Sequence, residues 1–207
     1  MKRIPLAIPN TGKEEGLNLQ RCIDENFVSS VGPFVDEIES KVASLSGCNK
    51  GVALGAGTQA LHMALHCVGV TSNDLVILPS FTFIASANSI MHTHANPWLF
   101  DIDPESWTIC PDQVENALKS KTTIKKEGVF LKSTGQRIAA IMPVYTLGTP
   151  ANMERIFKIG KEYNLPVIAD AAAAIGVTYG GKPIGAWADL TCYSFNGNKT
   201  ITAGGGG

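Results

Sequence analysis

The sequence predicts an α/β fold built on a mostly parallel sheet whose two faces are covered by helices. Short apolar runs alternate along the chain with amphipathic stretches of helical length, the order expected of repeated strand–helix units. The apolar runs lack the alternation of a half-exposed strand, so the strands are expected to be buried on both faces. With 207 residues, 44% hydrophobic and 17% charged, the chain can form one full core or most of a larger domain.

Individual elements follow from the same pattern. Six runs are interpreted as buried strands, at residues 51–54, 75–78, 97–100, 138–142, 166–169 and 190–193. Helices are predicted between them over 58–68, 83–91, 111–118 and 153–163, and two more, over 14–27 and 34–46, precede the sheet. The Lys-rich segment 119–136 is predicted to be the least structured, with a short strand at 129–131. No repeat or linker divides the chain.

Composition and charge exclude several classes of function. The net charge is −1 and no basic stripe is present, so neither nucleic acid nor an anionic membrane surface is expected as a partner. No apolar run approaches the roughly 18 residues that a membrane span needs, and the N-terminus has no signal-peptide pattern. The five scattered cysteines indicate reduced thiols, so a cytoplasmic location is expected.

Parallel α/β sheets bind ligands beyond the carboxyl ends of their strands, and the first unusual loop there is 55–58. Gly57 and Thr58 open a helix, where small residues, free backbone N–H groups and a hydroxyl suit a phosphate. The spacing is neither that of a dinucleotide-binding loop nor that of a P-loop. A simple N-cap after a glycine turn is the alternative interpretation.

Two further loops carry an aromatic ring and a carboxylate. Phe83 begins a predicted helix directly after a strand, where its ring could cover a flat heteroaromatic ligand; a core position is the alternative. Asp170 follows the apolar strand 166–169 and precedes four alanines, so its carboxylate must face a cation, a donor or a ligand. A helix N-cap is the alternative interpretation of Asp170.

The fourth loop, residues 194–200, has the sequence SFNGNKT and contains Lys199. A lysine in such a loop is usually a solvated surface residue, and it matters only where its amine becomes a nucleophile. Together the four loops supply the parts of a pyridoxal-phosphate site. These are a phosphate cradle, a ring-stacking aromatic, an acid for the pyridine nitrogen and a lysine that forms the Schiff base with the cofactor.

The order of these motifs resembles that of the DegT/DnrJ/EryC1/StrS sugar-nucleotide aminotransferases, in the fold-type I class of pyridoxal-phosphate enzymes. The resemblance runs along nearly the whole chain, through IPLAIPN, SSVGPFVDEIE, LGAGTQALHMAL, LPSFTFIASANSI, FDIDPESW, MPVYTLGTPANM, VIADAAAAIG and SFNGNKTITAGGGG. The last motif is the most specific, because the family places its lysine five residues after the serine of an SF pair. Its form is similar to the subgroup that acts at C4 of UDP-linked 4-keto-6-deoxy amino sugars.

The resemblance implies roles for individual residues. Lys199 matches the lysine that binds the cofactor covalently, and Asp170 matches the acid that bonds the pyridine nitrogen. The other matches are the stacking aromatic and three phosphate contacts, in that order Phe83, Gly57, Thr58 and Ser194. Two positions depart from the family pattern. Ala173 stands where a Gln or Glu commonly contacts the cofactor's phenolic oxygen, and Tyr145 stands where the family has the His of a PVH motif.

The resemblance also implies a fold, partners and a reaction. Residues 1–207 would form the three-layer α/β/α large domain that binds pyridoxal 5′-phosphate, with the small C-terminal domain absent. The expected reaction moves an amino group, with glutamate as the expected donor, to a UDP-linked keto sugar. Since fold-type I enzymes generally build their sites at a dimer interface, a homodimer is expected.

Three alternatives compete with this interpretation. A lyase-like relative would dehydrate a keto-deoxysugar with the same cofactor, but in such relatives a histidine replaces the residue at Lys199. A truncated chain could be a fragment that binds the cofactor weakly or not at all. His62 and His66 have a helical spacing that can bind a metal, but no third ligand is evident and Met63 stands where a zinc-protease motif needs Glu, so no metal site is predicted.

Overall fold

The computed structural model, which describes residues 4–5 and 8–207, contains a mostly parallel sheet with helices on both faces. The α-helices are α1 Glu14–Asp24, α2 Pro33–Ser46, α3 Gly57–Cys67, α4 Ile84–His92, α5 Pro111–Lys121 and α6 Met153–Tyr163. The strands are β1 Leu75–Pro79, β2 Asn96–Phe100, β3 Thr122–Lys125, β4 Gly128–Leu131, β5 Arg137–Ile141, β6 Ile168–Asp170, β7 Thr178–Tyr179, β8 Lys182–Pro183 and β9 Leu190–Cys192. Two 3₁₀ turns lie at Thr146–Gly148 and Ile184–Trp187.

The central sheet is continuous from β2 to β9. β2, β1 and β5 are parallel neighbours, and β6 pairs in parallel with β9. Parallel bridges from Ile141 to Val167 and from Val144 to Asp170 join the β5 side to β6. The beginning of β5 pairs with β4, which forms an antiparallel hairpin with β3. The predicted mostly parallel sheet is therefore confirmed.

Burial along β1 shows why its sequence has no polar alternation. All five residues are buried, and successive side chains enter different cores. Leu75 and Ile77 pack in the core that contains α5 and α6. Val76 and Leu78 pack in the core that contains α3 and α4. A strand with helices on both sides needs apolar residues at every position, so β1 is apolar throughout.

The predicted helices are present, with ends shifted by a few residues. α6 has its predicted bounds because the Asn152 side chain accepts a hydrogen bond from Arg155 N–H at 3.3 Å and Asn164 ends the helix in the left-handed conformation. α1 ends at Asp24, three residues before the predicted end, since Asn26 adopts a φ of 60° that turns the chain away.

The predicted strand at 51–54 is wrong for the described residues. Leu54 exchanges backbone hydrogen bonds with Gly207, at 2.8 and 3.0 Å. The N–H of Ala53 donates to the Glu39 carboxylate at 2.8 Å instead of to a neighbouring strand. The segment is therefore held by one backbone pair and a side chain of α2, which is too little pairing for a strand.

The Lys-rich segment 119–136 is more ordered than predicted. α5 continues to Lys121, and β3 and β4 then form a hairpin against β5. The hairpin is anchored by the buried side chain of Val129 and by the Thr122 hydroxyl, which donates to Leu118 O at 2.5 Å. The short strand predicted at 129–131 is present as β4, whereas β3 was not predicted, because most of its side chains face solvent and its apolar pattern is sparse.

None of the helices in residues 4–5 and 8–207 combines the length and the apolar character that a bilayer crossing requires.

Candidate active site

Asp170 lies at the carboxyl end of β6, where neighbouring strands fix its backbone. Its carbonyl oxygen accepts from Tyr145 N–H at 2.9 Å, and its N–H donates to Pro143 O at 2.9 Å. On the other side, the Ala171 N–H donates to Cys192 O at 2.9 Å. The carboxylate is thus presented by the centre of the sheet and not by a mobile loop.

The Asp170 side chain is buried and has two hydrogen-bond donors. The Ser86 hydroxyl donates to Oδ2 at 2.6 Å, and the Ala172 N–H donates to Oδ1 at 3.2 Å. Burial raises the pKa of the Asp170 carboxyl above its ordinary value, while these two donors and the charge of Lys199 act in the opposite direction. A buried carboxylate with this environment is suited to accept a further charged donor.

Lys199 lies in the loop after β9, and its amine approaches the predicted ring-stacking residue. Its side-chain Nζ is 5.9 Å from the centroid of the Phe83 ring, and its backbone N–H donates to Asn196 O at 2.9 Å. The Phe83 ring is 73% exposed, so it is not part of the core. An exposed aromatic face, a lysine amine and a buried carboxylate therefore lie together at the carboxyl edge of the sheet.

The predicted phosphate cradle lies where α3 meets the loop after β9. A Cβ added to Gly57 would come within 2.8 Å of Ser194 Cβ and 3.2 Å of Tyr193 O, so a residue with a side chain cannot replace this glycine without a shift. No side chain caps the first turn of α3, where Thr58 follows Gly57. The first-turn N–H groups and the two hydroxyls of Thr58 and Ser194 fit a phosphate group.

The lysine loop is tied at both ends. The Phe195 N–H donates to Gly206 O at 3.0 Å, and the Ala203 N–H donates to Phe195 O at 2.9 Å. The Thr200 hydroxyl donates to Ala173 O at 3.3 Å, which links this loop to the one that follows Asp170. These bonds limit the positions that the Lys199 backbone can take.

The two departures from the family pattern have different surroundings. Ala173 is partly buried, and its carbonyl, not its side chain, contacts Thr200. Tyr145 is 2% exposed, and its hydroxyl has no hydrogen-bond partner among the described residues. Burial raises the pKa of the Tyr145 phenol, so it stays protonated as a donor.

Sequence reasoning missed Ser86 and Thr82. Ser86 is fully buried and contacts Asp170, and its Oγ lies 2.7 Å from the Thr82 Oγ1. The spacing of four residues between two hydroxyls at a helix start was visible in the sequence. Nothing in the sequence showed that this helix face meets a residue 84 positions later.

A cavity of about 730 Å³ lies elsewhere, between α2, α3, β9 and the segment 203–207. Its lining includes Tyr193 and Gly207 but none of the six predicted cofactor residues. The candidate site is therefore defined by its side-chain chemistry and not by this cavity.

Residues 9–207 match the DegT/DnrJ/EryC1/StrS aminotransferase family. The chain belongs to this family. Fold and motif order thus agree with the family resemblance found in the sequence, and the α/β architecture is that of the solved members described next.

Individual relatives show the same likeness over about half of their length. GDP-perosamine synthase of Escherichia coli O157:H7 is 38% identical over 100% of this chain and 52% of its own length. The putative sugar aminotransferase Spr1654 from Streptococcus pneumoniae, solved in its PLP form, has a TM-score of 0.82 at 26% identity, covering 99% of this chain and 52% of that one. DesI, solved with its TDP-sugar product, has a TM-score of 0.79 at 31% identity, covering 92% and 44%. This chain spans about half the length of the curated relatives it matches.

Proposed function

We propose that the protein is a pyridoxal-phosphate-dependent aminotransferase that transfers an amino group from an amino acid, glutamate being the expected donor, to C4 of a nucleotide-linked 4-keto-6-deoxy sugar. The observation that carries the proposal is the arrangement around Lys199. Its amine lies beside the exposed Phe83 ring, and its positive charge favours the ionised form of the buried Asp170 carboxyl. Family membership supports the same reaction class.

The residues present fit the cofactor. Gly57, Thr58 and Ser194 would hold its phosphate, and Phe83 would cover its ring. Bound through Lys199, pyridoxal phosphate supplies an electron-accepting ring that stabilises negative charge on a substrate carbon. The Asp170 carboxylate keeps the proton on the ring nitrogen, which the buried site favours because an ionised carboxylate there needs a positive partner.

Lys199 has a second role once its amine is free. With the cofactor bound, its Nζ would accept the proton from the α-carbon of the amino donor and would then deliver it on the cofactor side of the site. The reaction has two halves, the first with the amino donor and the second with the keto sugar. In the second half the same amine would transfer protons in the reverse direction, toward the sugar carbon that becomes aminated. Asp170 would stay ionised opposite the positively charged ring nitrogen and would hold the proton there while Lys199 transfers protons.

The nucleotide is expected to be UDP from the SFNGNK…GGGG form of the lysine loop. The names of the relatives include GDP and TDP sugars. The nucleotide must therefore be assigned by assaying sugars linked to different nucleotides. We also propose that the enzyme acts as a homodimer with a shared site.

The proposal is tested by assaying the protein with pyridoxal phosphate and glutamate against 4-keto-6-deoxy sugars linked to UDP, GDP or TDP. Mass spectrometry of the sugar nucleotide should detect replacement of the ketone oxygen by an amine with at least one nucleotide, and UDP is expected to be preferred. Lys199→Ala, with folding checked by circular dichroism, should lose this turnover. Full turnover by Lys199→Ala would contradict the proposal.

Two alternatives give different results in the same assay. A keto-deoxysugar dehydratase would yield a product that has lost water and gained no nitrogen. A non-catalytic fragment would fold without binding pyridoxal phosphate and would leave every sugar unchanged.

A further inference from the structure

A chain of two hydroxyls leads from the protein surface to the Asp170 carboxylate. The Thr82 Oγ1 is 2.7 Å from the Ser86 Oγ, and the Ser86 Oγ is 2.6 Å from Asp170 Oδ2. Ser86 and Asp170 are buried, whereas Thr82 is half-buried. Both hydroxyls come from the segment that starts α4, and the carboxylate comes from β6, so the contact depends on the packing of helix on sheet.

The direction of these hydrogen bonds follows from proton counting. A serine hydroxyl has one proton, and an ionised carboxylate can only accept. The Ser86 proton therefore lies on the bond to Asp170. The Thr82 hydroxyl then donates to Ser86 Oγ at 2.7 Å, which is shorter than its contact with Phe83 O at 3.3 Å. Both hydroxyls then point toward the carboxylate, and the bond from Thr82 strengthens the one that Ser86 donates.

We propose that Ser86 is a positioning residue whose hydroxyl, oriented by Thr82, fixes the rotation of the Asp170 carboxylate and holds it as an acceptor for the cofactor's ring nitrogen. This inference rests on the proposed function. Ser86 and the Ala172 N–H occupy one acceptor site on each carboxylate oxygen, and a second acceptor site remains free on each.

The charge of Asp170 depends on few neighbours, so the contribution of Ser86 is measurable. Among residues 4–5 and 8–207, Lys199 is the charged group that acts on Asp170. The Cys192 thiol is opposite Asp170 on β9, where burial raises the thiol pKa to about 12. Cys192 is therefore neutral at working pH. Burial raises the pKa of the Asp170 carboxyl. Among the groups that lower this pKa, the Ser86 hydroxyl has the largest effect.

The first experiment measures the pH titration of the Asp170 carboxyl in the cofactor-free protein. It uses carbon NMR of labelled aspartate, and Asp170→Asn assigns the signal. In Ser86→Ala the acid dissociation constant of Asp170 should fall about tenfold, because a hydrogen bond to a charged group is removed. Ser86→Thr keeps a hydroxyl and should titrate close to the wild type. Wild-type titration of Asp170 in Ser86→Ala would overturn the proposal.

Two variants separate positioning from a general effect on the fold. Ser89 is also buried on α4, and its hydroxyl donates to Ser86 O at 2.7 Å without touching Asp170, so Ser89→Ala should leave the titration unchanged. Thr82→Val removes the outer hydroxyl at a half-buried position and should lower the dissociation constant about two- to threefold. If Ser86→Ala does not fold, an unchanged titration in Thr82→Val overturns the proposal.

A second readout separates this inference from the proposed function. Pyridoxal phosphate should bind Ser86→Ala about tenfold more weakly than the wild type, and Ser86→Thr should restore the affinity. Equal affinity in the wild type and Ser86→Ala would count against the positioning role. If the wild type itself does not bind pyridoxal phosphate, the proposed function fails, and the carboxyl titration still decides the link between Ser86 and Asp170.

Discussion

Gly57 lies in the candidate phosphate cradle, where its lack of a side chain allows two backbone segments to approach each other. Its position lies so close to Ser194 that an added Cβ would be 2.8 Å from the serine Cβ. The backbone of α3 and the loop after β9 can approach each other only because this residue lacks a side chain. A phosphate held between them would use the N–H groups of that first turn.

Gly57→Ala should therefore weaken pyridoxal-phosphate binding about tenfold and cost about 1–3 kcal/mol of unfolding free energy, since overpacking forces the two segments apart. Cofactor titration and urea unfolding measure the two effects. Gly16→Ala is the matched control, because Gly16 lies inside α1 with open space around it, and its substitution should stabilise by about 0.5–1 kcal/mol. Wild-type cofactor affinity in Gly57→Ala would argue against the cradle.

Tyr145 presents the opposite case, a polar atom without a partner. Its hydroxyl is buried and makes no hydrogen bond among the described residues, so folding desolvates it without compensation. Tyr145→Phe should raise the unfolding free energy by about 1 kcal/mol in urea denaturation. Tyr179→Phe is the control, since the Tyr179 hydroxyl donates to Asn152 at 3.4 Å, and it should stabilise nothing. Destabilisation of Tyr145→Phe would show that the hydroxyl has a partner in solution.

The sequence allowed some of the residue-level chemistry to be predicted. Asp170 stood out because a charged residue directly after an apolar strand is unusual. Lys199 stood out only in combination with the other three loops and through its place five residues after Ser194, which matches the family motif. Ser86 did not stand out, because serine in a helix is common and its partner is distant in sequence. Its contact depends on how α4 packs on the sheet, which local patterns do not encode.

At the scale of elements, one ion pair links the residue before β1 to the first residue of β5. The Arg137 guanidinium donates to both carboxylate oxygens of Asp74, at 2.9 and 2.5 Å, and also to Gly69 O at 2.8 Å. Burial alone would raise the pKa of the Asp74 carboxyl, but hydrogen bonds from Arg137 and Thr71 lower it below its ordinary value. The pair therefore stabilises the fold in the ionised form of Asp74.

The sign of the pH dependence follows from this lowered pKa. The stabilisation is fully present above the ordinary Asp pKa of about 4 and is lost as the pH falls through the lower pKa of the folded state. Arg137→Gln should cost about 1–2 kcal/mol at neutral pH, allowing for solvent screening of the partly exposed guanidinium, and the cost should shrink toward pH 3.

Urea unfolding of both proteins from pH 7 to pH 3 measures this difference. Lys161→Gln is a suitable control, because Lys161 pairs with Asp189 at 3.1 Å on the exposed surface and its loss should change little. A cost in Arg137→Gln that stays constant down to pH 3 would be inconsistent with a contribution from ionised Asp74.

Elements were predictable where one pattern dominated. β1 and α6 have continuous or strongly amphipathic apolar patterns, and both lie within a residue of their predicted bounds. The segment 51–54 has the composition of a strand, but a strand also needs a partner along its length, and here only Leu54 has one. Pairing is a property of two segments, so composition alone overestimated this one.

At the scale of the whole molecule, four segments distant in sequence contribute to one edge of the sheet. Parallel strand order explains this, because the carboxyl ends of β1, β6 and β9 lie at the same edge and α3 begins beside them. The class of fold and the location of the candidate site were predictable from this rule. The hydrogen bonds that orient Asp170 were not, since they require the packed structure.

The most direct test of the account is to locate the lysine that binds pyridoxal phosphate. The protein is incubated with pyridoxal phosphate, treated with borohydride to reduce the Schiff base to a stable bond, digested, and examined by mass spectrometry. The account predicts one labelled site, Lys199, and loss of both the label and the visible cofactor absorbance in Lys199→Ala. A label on another lysine, or a folded wild-type protein with no label, would contradict it.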